Sequence, residues 1–311
     1  MEMKEKGCCE MAKQETMTIL EFQKKFNTEE ACEAHLFQIR WSNGFVCPKC
    51  GHNEYFNIKS RHLFQCKQCK HQASVTAGTI MEKTQLPLVK WFWAMFLMGE
   101  DKRGCSALYL SKQLGIAYST AWAISHKIRK AMGTRDTLYM LEGTIELDDA
   151  FFGDTRKGSK RGRGTEKTAV LVGLSLNQKG KPMFVKMSAV ENVKGETLIQ
   201  FAKGSIKSGS FIMSDGFKSY NKLCGEGYSH EGKEFNPKDD PEHLKWLHII
   251  VSNAKAFILG TYHGLDSQHI QSYLDEFCFR FNRRFFSTQL FNRIINTCAF
   301  SSPISYSELI R

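Results

Sequence analysis

Two cysteine pairs, Cys47-x2-Cys50 and Cys66-x2-Cys69, lie fifteen residues apart and constrain this chain more than any other feature. Each pair turns two thiols toward one side of a knuckle, and two knuckles at this spacing close a tetrahedral zinc site. Four thiolates leave no open coordination position, so zinc held there is structural and its binding energy is folding energy. Gly51 follows the first pair, where a tight turn needs a residue without a Cβ. The module is expected over residues 46–80. Between its knuckles Lys59, Arg61 and His62 mix with Tyr55, Phe56 and Phe64, a composition that suits either a DNA-facing ribbon or a small aromatic core with solvated charges. The other seven cysteines show no ligand spacing, and the odd total of eleven argues against a disulfide framework.

The chain has 311 residues, enough for about two domains, and 42% of them are hydrophobic against 24% charged. That balance excludes a disordered or collagen-like chain. Lysine and arginine number 43 and aspartate and glutamate 32, a formal net charge of +11, so the summed field attracts polyanions, with nucleic acid first among them. The longest apolar candidate, Leu86 to Met98, is short and carries Lys90; it reads as a buried helix, and no membrane span or secretion signal is expected.

Hydrophobic periodicity predicts a helical segment over residues 18–45 and a second helical region over residues 84–135. Within the second, Ser106 to Leu114 stops at Gly115-Ile116-Ala117, and a new helix runs from Tyr118 through Ile124, Ile128 and Met132. Helix, short glycine-containing turn and helix is the outline of a helix-turn-helix, which plain helical hairpins share. The expected DNA-facing set is Ser119, Thr120, His126, Lys127, Arg129 and Lys130, with Trp122 and Ile128 packed inward.

From about residue 141 the pattern becomes strand-like. Thr144 to Phe152 alternates apolar and acidic residues, Ala169 to Leu176 and Met183 to Val190 form a hairpin, Glu196 to Ile206 is a helix, and Ser210 to Ser214 is a short buried strand. Closing helices follow over His248 to Leu259 and His269 to Phe281. The order predicts an α/β domain around a mixed sheet flanked by helices. Asp148 and Asp215 each sit at the end of an apolar strand, where a sheet meets solvent. Oxygen ligands so placed suit hard divalent ions, although a single acid at a strand end is more often a turn former or cap.

Several motifs together resemble the DDE-type insertion-sequence transposases, more closely the fifteen-ninety-five family or ISXO-two-like group with its N-terminal zinc ribbon. They are I-E-L-D-D-A at Asp148, S-D-G-F-K-S-Y at Asp215, S-N-A-K with G-T-Y-H-G, Y-L-D-E-F-C-F-R-F-N-R-R, and C-E-A-H-L-F-Q-I-R-W-S-N-G-F-V-C-P-K-C-G in the head. The resemblance spans roughly Thr18 to Arg284. It implies an RNase H-like catalytic domain over residues 141–290, in which Asp148, Asp215 and Asn253 hold catalytic Mg²⁺ or Mn²⁺ and Lys255 contacts phosphate or is structural. Asn253 stands where many relatives carry glutamate; its amide oxygen ligates a metal but lacks the charge and cannot act as a base.

The implied reaction is metal-dependent cleavage at the element's terminal inverted repeats, followed by in-line attack of the freed 3′-hydroxyl on target DNA. The implied setting is a bacterial cytoplasm, on the nucleoid, with a homodimer or larger assembly on DNA and no membrane partner. Arg156, Lys157, Lys160, Arg161, Arg163 and Lys167 form a basic loop after the first catalytic strand. With Arg283 and Arg284 they are expected to grip backbone phosphates, the competing reading being a solvated loop and pairing with nearby acids. A catalytically silent, zinc-dependent DNA-binding regulator is the alternative to a transposase, and a nuclease without joining activity is a third reading.

Overall fold

The computed structural model describes residues 17–153, 165–234, 240, 242–263 and 265–310. The first helical segment is two helices, α1 (Ile19–Lys25) and α2 (Glu29–Arg40), each started by its own threonine: Thr18 closes a capping box with Glu21, and Thr28 accepts the N–H of Ala31. The ribbon that follows has three short antiparallel strands, β1 (Tyr55–Ile58), β2 (Leu63–Cys66) and β3 (Gln72–Ala73). Tyr55 and Phe64 pack with Phe37, Trp41 and Phe45 into a small aromatic core against α2. Phe56 stays 53% exposed, with the Lys67 and Lys70 ammonium groups over its ring.

Helices α3 (Leu88–Glu100), α4 (Ala107–Leu114) and α5 (Tyr118–Asp136) form the second helical region. Ser106 caps α4, which ends at Gly115 in the left-handed region (φ +57°), a conformation glycine adopts without a Cβ penalty. Two antiparallel pairings and two parallel ones then build a five-stranded sheet from β4 (Thr144–Phe152), β5 (Thr168–Leu176), β6 (Pro182–Val190), β7 (Phe211–Ser214) and β8 (Ser229–Gly232). Its order is β6-β5-β4-β7-β8. The edge strand β8 is polar, with no apolar run to announce it.

One face of the sheet is covered by α6 (Gly195–Ser205) through Leu198, Phe201 and Ala202, which pack on Ile145, Leu147 and Leu171. The other face is covered by α7 (Lys245–Thr261) and α8 (Ile270–Asn282), which bury Ala150, Phe152, Val170 and Val172. The last long helix, α9 (Leu290–Phe300), leaves the sheet. Its Phe291, Ile294 and Ile295 join α1, α2, α3 and α5 in one core, so the end of the chain completes the hydrophobic centre of its beginning.

A buried ion pair joins the helical region to the helix layer of the sheet. Arg129 on α5 donates through Nε to Glu276 on α8 at 2.8 Å, with side chains 1% and 0% exposed. The guanidinium lies beside the rings of Tyr262 and Tyr273, 5.2 and 4.2 Å from their centroids. Tyr262 also accepts the Cys105 N–H, and a Cβ at Gly104 would run into its hydroxyl. Removing one partner strands a buried charge, at a cost of about 3–5 kcal/mol. Glu276→Ala is therefore expected to lower the urea unfolding midpoint by that free energy, with much of it recovered in Arg129→Met/Glu276→Leu. An unchanged midpoint for Glu276→Ala would remove this pair as a tie between the two layers.

Candidate functional site

The four ribbon cysteines are gathered as their spacing predicts. Their sulfurs all lie within 4.8 Å of one another, with Cys47 to Cys69 and Cys50 to Cys66 both at 3.6 Å. Among the described residues this is the single cluster of three or more Cys, His, Asp or Glu ligand atoms that close together. Four soft donors fit structural zinc and leave no position for substrate.

The carboxylate site is built where β7 runs beside β4. The strands are parallel and their last pair is Leu147 with Ser214, so Asp148 is the next residue of β4 and Asp215 the first residue after β7 ends. Asp148 is mid-strand rather than terminal; it opens toward solvent because its neighbour β7 stops at Ser214. Its Oδ1 accepts the Asp149 N–H at 2.7 Å, and its Oδ2 lies 3.5 Å from His248 Nε2 on α7.

Asp215 is held through its backbone. The Ser214 hydroxyl donates to the Asp215 carbonyl and accepts from His230, while His243 donates to the Ser214 carbonyl. Asp215 itself accepts the Phe217 N–H at 3.1 Å, closing the turn through Gly216.

Glu146, two residues before Asp148 on the same face of β4, is 3% exposed and accepts the Leu247 N–H at 2.7 Å. Burial raises its pKa against the opposing effects of that N–H and of His248. The contact ties the first turn of α7 to the sheet next to His248. Leu244, at φ +51°, supplies the bend that lets the chain turn into the helix there.

Asn253 is exposed on α7, five residues and about 140° of helical rotation from His248. His248 is the α7 side chain at Asp148. Sequence reasoning passed over it as the first residue of a closing helix; the signal that could have found it is the seven-residue step to Lys255, which returns to the same face within about 20°. Lys255 Nζ lies 5.6 Å from the Phe152 ring. Burial and then the like charge of Lys167 lower its pKa, so two cations crowd the end of β4. Lys167 lines two clefts there, of about 350 and 760 Å³.

The DNA-facing expectations divide. Ser119 and Lys130 on α5 are exposed and Thr120 is half-buried. His126 and Arg129 are corrected: each is 1% exposed, Arg129 in the Glu276 pair and His126 among Trp122, His269 and Tyr273. Burial, followed by the Arg129 charge, pushes the His126 imidazole down to about 3. Lys127 is half-buried and reaches the Ile80 carbonyl at 3.5 Å. The reason is that α8 lies against the face of α5 opposite its apolar stripe, so both faces are covered.

Arg283 is corrected too. It is 8% exposed, 2.8 Å from Asp136 and stacked on Phe279. Arg284 donates to the carbonyls of Pro182, Met183 and Phe281, a structural role at the β5–β6 hairpin rather than a phosphate contact. Arg156, Lys157, Lys160, Arg161 and Arg163 lie outside the described residues.

Ribbon and sheet together define a two-part protein: a thiolate module ahead of an α/β domain with Asp148 on β4 and Asp215 just past the end of β7. Residues 140–282 match the ISXO2-like transposase domain and residues 27–72 the transposase zinc-ribbon domain. The chain is 24% identical over 283 residues to an uncharacterised protein in the transposable element ISH50 of Halobacterium salinarum, covering 83% of this chain and 92% of that protein. Two solved structures are distantly similar: a Mos1 transposase paired-end complex with the left transposon end (8% identity, 68% of this chain and 79% of that one, TM-score 0.23) and a Mos1 mariner paired-end complex with Mn (13% identity, 67% and 78%, TM-score 0.26). No helix among the described residues is long and apolar enough to cross a membrane.

Proposed function

We propose that this chain is the transposase of an insertion sequence, with an RNase H-like catalytic domain that cuts and joins DNA at Asp148 and Asp215. The observation that carries the reading is that each aspartate is the residue directly after the last β4–β7 pair, Leu147 with Ser214, inside the segment that matches a transposase domain. The donor chemistry fits divalent metal: two carboxylates where β7 stops beside β4 are hard oxygen ligands. When bound there, Mg²⁺ or Mn²⁺ supplies the positive charge that activates the attacking oxygen and stabilises the leaving one.

The chain's own residues do the rest. Asp148 presents Oδ2, its Oδ1 being taken by a backbone N–H, and the His230–Ser214–His243 hydrogen bonds hold the Asp215 backbone still. Lys255 and Lys167, at the end of β4, are suited to backbone phosphates, contributing affinity that falls with salt and carries little sequence choice. End recognition is assigned to the α4–α5 pair read as a helix-turn-helix, with Tyr118, Ser119 and Lys130 exposed toward DNA, and to the ribbon. Joining two ends at once calls for two or more copies of the chain.

The test is a strand-transfer assay on linear DNA bearing the element's ends, in Mg²⁺ and in Mn²⁺, with Asp215→Asn as control. Joined product from wild type and none from the variant is the expected result. End binding without nicking in either metal would leave the silent regulator as the surviving reading. Nicking without joined product would favour a nuclease.

A further inference from the structure

Resting on the end recognition proposed for the ribbon, we infer that the outward face of its three strands reads sequence in the major groove of duplex DNA. Gln65 and Gln72 meet adenine there, and Phe56 meets a thymine methyl. The composition of this module suits both a DNA-facing ribbon and an aromatic core with solvated charges, and strand parity divides its residues between the two. Tyr55 and Phe64 take one face and pack against Phe37 and Trp41. Phe56, Gln65 and Gln72 take the other, because Phe56 pairs with Gln65 and Gln65 with Gln72 across the three strands.

This second row is uncovered. Phe56 is 53% exposed, Gln72 is exposed and Gln65 is half-buried. Neither glutamine amide has a hydrogen-bond partner among the described residues. The row is held from behind, by the aromatic packing on α2 and by His62 at the β1–β2 turn, whose Nδ1 lies 2.9 Å from Glu33 on that helix. It is therefore presented by a fixed support.

Charge identifies the occupant. Residues 46–73 carry five lysines or arginines and one acid, Glu54, which meets Lys67 at 3.6 Å. Lys59 and Arg61 at the β1–β2 turn, and Lys70 beside the Phe56 ring, are exposed with no acid in ion-pair reach among the described residues. Cations flanking a neutral, amide-bearing row complement phosphates on either side of base edges. Three strands about 4.8 Å apart span about 10 Å, within the roughly 12 Å width of the major groove. A glutamine amide offers donor and acceptor together to adenine N7 and N6, and an apolar group suits the thymine methyl.

The experiment measures fluorescence anisotropy of full-length, zinc-loaded protein on a labelled duplex of the element's end and on an unrelated duplex of equal length, over a series of KCl concentrations. Wild type is expected to prefer the end duplex. Gln65→Ala and Gln72→Ala should each lose about tenfold on the end duplex and stay within about twofold on the unrelated one. Replacing the end's adenines by 7-deazaadenine, which lacks the N7 acceptor, should cost wild type a similar factor and the double glutamine variant nothing further. Phe56→Ala should weaken end binding as thymine-to-uracil replacement does. Lys59→Ala/Arg61→Ala should weaken both duplexes alike and lower the slope of log affinity on log salt by about two. Zinc content and near-ultraviolet circular dichroism of each variant keep loss of the ribbon apart from loss of a contact.

Glutamine variants with wild-type affinity and preference overturn the reading face, and a change in their sedimentation would give that face to a second copy of the chain. Glutamine losses equal on both duplexes also overturn it, leaving backbone contact alone. Wild type without preference for the end duplex overturns the end recognition itself, and this inference with it.

Discussion

Asp148→Ala is expected to lower strand transfer by at least about 10³-fold while end binding persists, because it removes the carboxylate that stands beside His248 and next to the end of β7 and leaves the exposed surface of α5 untouched. A factor of that size is about 4 kcal/mol of transition-state stabilisation, in the range that removal of a charge-stabilising group from an active site produces. The folding cost should be small: the lost Asp149 N–H contact is worth about 1 kcal/mol. Gel-shift affinity for the ends and the melting temperature therefore serve as controls, and joined product is the readout. Residual joining within tenfold of wild type would move the chemistry away from this strand pair.

Removal of zinc is expected to have the largest effect on structure. The three strands of the ribbon contribute few pairings, and its core is only Phe45, Cys47 and Cys66 with partly buried aromatics around them. A module so small depends on its metal; apparent binding energies for structural zinc in comparable peptides reach about 10–16 kcal/mol near neutral pH. Chelation, or Cys66→Ala, should open the Phe37, Trp41, Phe45, Tyr55 and Phe64 cluster and abolish its near-ultraviolet circular dichroism. The larger helical core should persist, since α9 rather than the ribbon closes it. Atomic absorption should return one zinc per chain. A chain without zinc whose aromatic signal matches that of wild type would show the ribbon to be held by packing instead.

Much of this was legible beforehand, and for local reasons. The C-x2-C pairs, the threonine and serine caps, the glycine stop at Gly115 and the alternation through β4 and β5 each depend on neighbours in the chain, so their meaning survives without tertiary information. Asp148 and Asp215 were legible as acids beside buried strands. The polar strand β8 was not, because it is made by pairing with β7 rather than by burying an apolar face. His126, Arg129 and Arg283 were misassigned to DNA for a related reason: basic or aromatic-flanked residues off the apolar stripe look solvated until a second layer covers them.

Composition and spacing alone determined that this chain carries a thiolate zinc module, a run of helices and an acid-bearing mixed sheet. Only the folded chain decided which side of α7 meets β4, and so that His248 stands at Asp148. It likewise decided that α9 returns to the first core and that Arg129 is buried against Glu276. The physical reason is that periodicity along a helix defines one apolar face but neither its rotation against a partner nor the presence of a second partner. Those follow from contacts between residues about a hundred positions apart, such as Glu146 with Leu247.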